Sequence, residues 1–418
     1  MNSATPSEAG WLARWRHWPL YGRILGALVI GVILGVVLGP RAIVFELPAK
    51  IILQLLGALA PPLILIAVTH VLMTTEITGK TALRLGGLLL LNTVVAICIG
   101  LFVANTVKPG MWSAQKPPAA KVKEESQGPS PVQLVVDNIP KSLLGPLGDK
   151  SNVIGVILIA VAFGLALRGQ KDRPIHNVQD IVEVAYQALI AVLHWIIDFV
   201  PIGVLSIVAK VVGTEGFGPF AAMGAFIVAV LLALALQASW YLLRIRFFSW
   251  CRPLDVLRGM SDALTMAFST GSSTATMPVT YACLKEKVGI REESASLGAL
   301  VGANFNNDGT ALYEAMSALF VAQMLGMHLS FEAQLLVVLT SIVASVGAAG
   351  IPEAGLVTMT LVFTAVKLPT EYIALLLTVD WFLDRCRTAI NVLGDVNVSC
   401  LLDGRVKPEV TSESVTSE

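Results

Sequence analysis

The chain has 418 residues, of which 55% are hydrophobic and only 14% are charged, and its formal net charge is zero. A soluble domain usually carries about 25% charged residues, so this composition argues against a soluble protein and predicts one whose solvent is lipid, where charge is costly. The balanced charge gives no support for nucleic-acid binding, and the five cysteines contain no CxxC pair, so we expect buried thiols rather than a metal site.

The N-terminus, residues 1–19, is largely polar and lacks a convincing signal-peptide cleavage site, so we predict that it is retained in the cytoplasm. Six apolar segments follow, each close to or above the roughly 20 residues that a membrane helix needs: 20–40, 48–73, 84–107, 152–169, 179–209 and 218–243.

Basic residues orient these spans. They precede the first span and occupy the connections after the second, fourth and sixth spans. Arg244 and Arg246 belong to the connection after the sixth span, which ends at residue 243. The positive-inside rule assigns these connections to the cytoplasm. The connection 108–151 is then external, and its prolines and mixed charges indicate a flexible loop.

After residue 250 the apolar segments become shorter and are broken at their centres. Segment 255–290 is interrupted by the serine-rich turn 269–278, and segment 333–366 by the glycine-rich turn 345–355. Turns with unsatisfied backbone groups cannot face lipid, so we predict two re-entrant helical hairpins whose tips meet inside the protein. A pair of broken membrane elements is the usual pointer to the binding site of a transporter.

The last span, 370–400, carries a polar stripe along one helical face: Asp380, Asp384, Arg387, Thr388, Asn391 and Asp395. Ionisable residues inside a membrane are functional candidates, although intrahelical ion pairs facing water are the alternative. Asp384 is suited to a ligand ammonium and Arg387 to bidentate binding of a carboxylate. Asn391 and Asp395 offer hard oxygens to a small cation. The stripe therefore predicts a zwitterionic ligand with a second carboxylate.

A second polar segment, GANFNNDGTALYEA at 302–315, should interrupt another membrane helix around Asn306–Thr310 and again presents hard oxygen donors. A capped helix break without a ligand is the alternative. The serine-rich turn 269–276 could offer backbone N–H groups and hydroxyls to a carboxylate at a helix end. The histidines do not cluster, which gives no indication of a metal role for them.

On these segments the sequence resembles the dicarboxylate/amino acid:cation symporter family, the glutamate transporters, from about residue 20 to 400. The matching motifs are SSTATMPVT (272–280), NNDGTALYEA (306–315), SVGAAGIPEAGLVTM (345–359) and VDWFLDRCRTAINVLGD (379–395).

The resemblance implies an all-α polytopic membrane protein with eight transmembrane helices and two re-entrant hairpins. Residues 20–250 would hold helices 1 to 6, with helices 1, 2, 4 and 5 as a trimerisation scaffold and helices 3 and 6 in a mobile transport domain. Residues 251–400 would form the core of that transport domain, and 401–418 a cytoplasmic tail. The implied protein is a homotrimer in the plasma membrane, not an enzyme, which takes up glutamate or aspartate by an elevator mechanism coupled to Na⁺ and/or H⁺.

Carried over residue by residue, the resemblance implies this substrate site: Ser272, Ser273, Thr310, Ile351, Gly355, Asp384, Arg387, Thr388 and Asn391. Ser273 and Asn391 would bind the main carboxylate. Asp384 and Thr388 would hold the amino group, and Arg387 and Thr310 the side-chain carboxylate. The second hairpin, around Ile351 and Gly355, would act as the gate.

The resemblance also implies sodium ligands: Gly302, Asn306, Asp308, Ser345, Asn391 and Asp395, with Asn92 and Thr93 as further candidates. Glu314 matches a position tied to proton movement. Several positions depart from the family pattern: Leu89, Asn92, Asn304 and Asn307. We therefore expect altered ion coupling, with Asn307 free to bond to Asp308; the alternative is that the amides rebuild sodium sites with other oxygens.

Three other functions remain open at this point. An uncoupled carrier or channel would keep the same fold. A C4-dicarboxylate transporter would leave Asp384 facing a ligand that lacks an ammonium group. An intramembrane enzyme would need a nucleophile with an adjacent base, and the sequence shows no such arrangement.

Overall fold

A computed structural model describes residues 20–45, 47–49, 51–52, 65–66, 69, 73, 79–112, 156–157, 160, 176–347 and 354–407, and the regular structure within these ranges is helical. Most of the predicted spans 48–73 and 152–169, most of the external loop, and Ile351 lie outside these ranges.

The helices in chain order are α1 (Leu20–Leu38), α2 (Gly79–Val107), α3 (His176–Glu215), α4 (Gly218–Phe248), α5 (Pro253–Gly259), α6 (Ser261–Thr270), α7 (Ser273–Ala282), α8 (Glu292–Ser296), α9 (Gly302–Phe305), α10 (Asp308–Met324), α11 (Phe331–Gly347), α12 (Ala354–Ala365) and α13 (Ile373–Asp403). Short 3₁₀ turns follow α1 and α2 and precede α13, and π-helical turns at Cys283–Val288 and Leu297–Val301 follow α7 and α8.

Four helical segments among the described residues are long and apolar enough to cross a membrane: Gly22–Phe45, Gly79–Trp112, Ile196–Thr214 and Gly218–Phe248. They overlap four of the predicted spans, although Ile196–Thr214 covers only the second half of span 179–209. Large apolar side chains such as Val37 and Leu83 point outward on them, with exposed fractions of 74% and 80%. Outward apolar faces of this kind are what a lipid environment favours, so the chain is a multi-pass membrane protein.

The interface between α1 and α3 is tight because α1 presents glycines to it. A Cβ at Gly31 would lie 2.8 Å from the Leu205 carbonyl oxygen, and one at Gly35 would lie 2.8 Å from the Ala209 carbonyl oxygen. The spacing is the small-xxx-small pattern that lets membrane helices approach closely.

Asp198, one of the charged residues that the sequence places inside the span 179–209, also faces this interface. The Arg23 Nη1 lies 3.0 Å from the Asp198 Oδ1, so the carboxylate is paired across the α1–α3 contact. This face of α3 therefore meets protein.

Two of the predicted breaks in the second half lie among the described residues and are present, whereas the centre of the third, residues 348–353, lies outside them. Helix α6 ends at Gly271, which has a left-handed φ of 66°, and α7 begins after Ser272, whose hydroxyl caps it by accepting a 3.1 Å bond from the Ala275 N–H. Asn306 and Asn307 leave helical geometry between α9 and α10.

The end of the sixth predicted span requires a correction. Helix α4 continues to Phe248, and Arg244, which the charge pattern placed in a cytoplasmic connection, is only 5% exposed within the helix. The apolar segment in the sequence stops at the first arginine, which is why the predicted span ends there. The helix continues because the Arg244 guanidinium has polar partners inside the protein.

Helices α10 and α13 form the centre of the second half. The residues of α10 from Asp308 to Ala322 are buried without interruption, and α13 is buried over most of its length. Phe226 of α4 stacks on Phe320 of α10 with ring centroids 4.5 Å apart, which fixes one side of this packing. The polar stripe of α13 consequently lies within protein and not against lipid.

Candidate functional site

Three broken elements converge on the polar face of α13. A Cβ at Gly271, in the first break, would lie 3.0 Å from the Asp384 Oδ2. A Cβ at Gly355, at the start of α12, would lie 3.2 Å from the Arg387 Nη2 and 3.3 Å from the Thr310 Cγ2. The structure therefore brings the first break, the start of α12 and the start of α10 to the same short stretch of α13.

Arg387 is the centre of this site. It is fully buried, and its guanidinium bonds to the Asp380 Oδ1 and the Asp384 Oδ1, both at 2.7 Å. Its Cζ lies 4.0 Å from the centroid of the Tyr313 ring, within cation–π distance. Because two carboxylates face one guanidinium, the group carries one formal negative charge in excess, which suits a ligand that brings an ammonium.

Two members of this group were not assigned a role from the sequence. Asp380 belongs to the polar stripe, one helical turn before Asp384, and that spacing was its signal. Tyr313 comes directly before Glu314 in the motif segment, but nothing in the sequence places its ring on Arg387.

The amide of Asn391 joins α13 to the start of α10. Its Oδ1 accepts a 2.7 Å bond from the Gly309 N–H, and its Nδ2 lies 3.5 Å from the Thr310 hydroxyl, the outer limit of a hydrogen bond. Two other predicted hydroxyls bond to backbone: Ser273 donates to the Ala303 carbonyl at 3.0 Å, and Thr388 to the Asp384 carbonyl at 2.8 Å. These hydroxyl and amide groups surround Arg387 and its two aspartates. They carry no charge, so they leave the net negative charge of that group unchanged.

A group of oxygen ligands lies deeper along α13. The Asn306 Nδ2 donates to the Asp395 Oδ1 at 3.0 Å and to the Asn391 carbonyl at 3.2 Å. A Cβ at Gly302 would lie 2.8 Å from the Asp395 Cγ, so the glycine backbone is also adjacent. The Asn306 Oδ1 is buried and has no hydrogen-bond donor among the described residues. A carboxylate beside an unpaired amide oxygen fits a small hard cation.

Asp308 has a different environment. Its Oδ1 accepts a 2.7 Å bond from the Thr93 hydroxyl, and its Oδ2 bonds to the Tyr241 hydroxyl. Next to this pair, the Arg244 guanidinium bonds to the Asn92 Oδ1. Thr93 and Asn92 were predicted here, but Tyr241 and Arg244 were not.

The expectation that Asn307 bonds to Asp308 is wrong. The Asn307 Nδ2 donates to the Ser345 carbonyl at 3.0 Å, and its Oδ1 lies 3.4 Å from the Asn391 Nδ2. Both Asp308 oxygens already have hydroxyl donors, so Asn307 bonds to the end of α11 instead. Asn304 also points away from this region, since its Nδ2 donates to the Leu300 carbonyl one turn back at 3.1 Å.

Glu314 is fully buried on α10 and faces α12. Its Oε1 bonds to the Thr358 hydroxyl, while its Oε2 is buried without a donor among the described residues. An acceptor left open in this way can hold a proton or a further donor. In the part of the chain that the structure describes, no three His, Cys, Asp or Glu side chains group as a metal site.

Comparison with known proteins shows which family the sequence matches. A family profile described as "Sodium:dicarboxylate symporter family" matches residues 20–405. The chain is similar to excitatory amino acid transporter 3 of Mus musculus, with 30% identity over all of this chain and 91% of the relative. It is 29% identical to excitatory amino acid transporter 3 of Homo sapiens over 96% of this chain and 88% of that protein. An excitatory amino acid transporter of Caenorhabditis elegans is 31% identical over 89% of this chain and 84% of its own length.

Proposed function

The chain belongs to the sodium:dicarboxylate symporter family, and we propose that it is a secondary active transporter that takes up an acidic amino acid, glutamate or aspartate, together with a cation. It is a membrane transporter and not an enzyme. The observation that carries the choice of substrate is the fully buried Arg387 between two aspartates, with Gly355 at the start of α12 packed onto it.

The charges of the site select among substrates. A ligand carboxylate finds an open donor on Arg387, because its buried Nε–H has no hydrogen-bond partner among the described residues, while Nη1 and Nη2 bond to Asp380 and Asp384. A ligand ammonium is drawn to the carboxylates, which outnumber the guanidinium by one. A C4-dicarboxylate offers no ammonium and would add further negative charge to a buried group that already carries one carboxylate in excess, which is costly. A neutral amino acid would leave the Arg387 Nε–H without an acceptor.

The remaining polar groups complete the ligand shell. Asn391 and Ser273 bind the main carboxylate, with the Ser272 cap fixing the tip of the first hairpin. Thr388 holds the amino group next to Asp384. Thr310 lies against Gly355 and shares the side-chain carboxylate with Arg387. Ile351, outside the described residues, forms the gate together with Gly355.

Coupling ions bind at three places in this proposal. Gly302, Asn306, Asn391 and Asp395 supply the cation site that the open Asn306 Oδ1 supports. The backbone around Ser345 closes a further site over the substrate. Glu314 carries a proton, which its open Oε2 supports.

The architecture that goes with this function has eight transmembrane helices and two re-entrant hairpins. Helices 1, 2, 4 and 5 form the scaffold of a homotrimer, and helices 3 and 6 join residues 251–400 in a transport domain that moves as an elevator. Both termini are cytoplasmic. Four apolar spans and the broken helices of the second half support this arrangement.

Calorimetric binding of a ligand panel to the detergent-solubilised protein tests the proposal. We expect aspartate or glutamate to bind with sodium present, and succinate and asparagine to bind at least tenfold more weakly. Equal affinity for succinate would contradict the role of Asp384, and equal affinity for asparagine would contradict the role of Arg387.

A further inference from the structure

A buried arginine that the proposed function does not use lies where α4 meets α2. Arg244 of α4 is 5% exposed, and its guanidinium contacts the Asn92 Oδ1 on α2 and lies 5.8 Å from the centroid of the Trp240 ring. A charged residue within a membrane span is expensive unless it has a partner. Its partners therefore indicate what it does.

The carboxylate whose charge acts on Arg244 is Asp308, which is completely buried. Among the described ion pairs none joins the two side chains directly, so the interaction is one of charge across neutral neighbours. The two carboxylate oxygens accept bonds from Thr93 and Tyr241, which are neutral donors. Among the described residues, Arg244 is the positive charge that balances Asp308.

The oxygens that would bind a cation here are already occupied. The Asn92 Oδ1 bonds to Arg244, and both Asp308 oxygens bond to hydroxyls. Leu89 adds no side-chain oxygen, and its carbonyl lies 3.1 Å from the Thr93 hydroxyl. A sodium ion would have to displace these donors and sit beside a guanidinium, whose charge repels it.

We propose that Arg244 is a tethered cation that takes the place of one sodium ion at Asp308, so that this protein couples transport to fewer sodium ions than a relative without the arginine. The inference rests on the proposed function. It contrasts with the Asp395 group, where the Asn306 Oδ1 is open and no described basic side chain pairs with the carboxylate.

The test is the slope of log Kd for aspartate against log sodium concentration, measured by calorimetry on wild type and variants. We expect Arg244→Gln to steepen the slope by about one ion, because the Asn92 oxygen is then freed and the buried Asp308 charge, no longer balanced by a fixed cation, binds sodium in its place. Arg244→Lys keeps the charge and should keep the wild-type slope. Arg246→Gln is the matched control, since it removes an exposed arginine from the same helix, and it should change nothing. An unchanged slope in Arg244→Gln would overturn the inference.

A second variant covers the case in which Arg244→Gln does not fold. Asp308→Asn removes the carboxylate and leaves Arg244 in place. The inference predicts an unchanged sodium slope for this variant, since no sodium is bound at Asp308. A shallower slope would show that sodium binds there in the wild type and would refute the tethered cation. If wild type binds neither aspartate nor glutamate at any sodium concentration, the proposed function fails instead, which is a separate outcome.

Discussion

Replacing Arg387 by cysteine removes the cation from the centre of the site. The wild-type guanidinium makes two 2.7 Å bonds to Asp380 and Asp384 and lies against Tyr313, and the whole group is buried. Arg387→Cys therefore changes both the ligand that the site accepts and the stability of the fold. We expect acidic substrates to be lost and small neutral amino acids, whose ammonium still meets Asp384, to be gained.

The size of the effect on binding follows from burial. Truncating one partner of a buried, hydrogen-bonded charge pair costs about 2–5 kcal/mol. At about 1.4 kcal/mol for each tenfold change in Kd, the affinity for aspartate should fall by roughly 30-fold to several thousand-fold. The affinity for alanine or serine should fall by much less or should rise, since these ligands bring no side-chain carboxylate.

The effect on stability has a separate readout. Without Arg387, Asp380 and Asp384 are left as buried carboxylates with no cation, and breaking a buried pair typically costs about 3–5 kcal/mol. The variant should therefore unfold at a lower temperature in detergent. The double variant Asp380→Asn/Arg387→Cys removes one of the two charges and should recover part of the lost stability without recovering aspartate binding.

The assay is calorimetric titration of aspartate and alanine at saturating sodium, with thermal unfolding measured on the same preparations. Arg405→Cys is the matched control, because Arg405 also lies over an aromatic ring, that of Phe248 at 5.4 Å, but is exposed just beyond the end of α13. It should bind aspartate as wild type does. An Arg387→Cys variant that binds aspartate within about threefold of wild type would refute the assignment.

Three further predictions concern the rest of the site and the assembly. Asp384→Asn should weaken binding of every amino acid, because the bond to the ammonium changes from charge-assisted to neutral; unchanged calorimetric affinities would count against it. Gly355→Val should weaken aspartate binding at least tenfold, because its side chain would meet Arg387 and Thr310. Gly26→Val, at a position with no atoms within 4 Å of a Cβ, should leave binding unchanged, and equal effects of the two glycine variants would argue against a packed gate. In mild detergent, light scattering should give a mass of three copies, confirmed by crosslinking in membranes; a monomer in both would overturn the trimer.

Much of the site could be predicted because its residues stand in short segments of the chain with a recognisable sequence pattern. The polar stripe of α13 has helical spacing, so one face had to carry Asp384, Arg387 and Asn391 together. The breaks at Gly271 and at Asn306–Asn307 are marked by residues that leave helical geometry readily. In each case the local sequence pattern determines the polar face or the helix break, and the structure adds the residues that it contacts.

The Asp308 environment could not be predicted in the same way. It joins α2, α4 and α10, and single-sequence patterns do not show which faces of three helices meet. A local signal was present, since Gln237, Tyr241 and Arg244 are spaced four and three residues apart on one face of α4. The positive-inside rule points the other way, because an arginine at the end of an apolar run predicts a cytoplasmic connection and not a buried helical face. For the same reason the sequence does not indicate that the Asn307 amide bonds to the Ser345 carbonyl and not to Asp308.

The central claim, cation-coupled uptake of an acidic amino acid, is tested most directly by uptake of labelled aspartate into proteoliposomes under imposed ion gradients. We expect accumulation above equilibrium when sodium is higher outside, strong competition by glutamate, weak competition by succinate, and no accumulation by the Arg387→Cys variant. Aspartate flux that only equilibrates across the membrane under every sodium and proton gradient, or uptake that succinate blocks as well as glutamate does, would contradict the account.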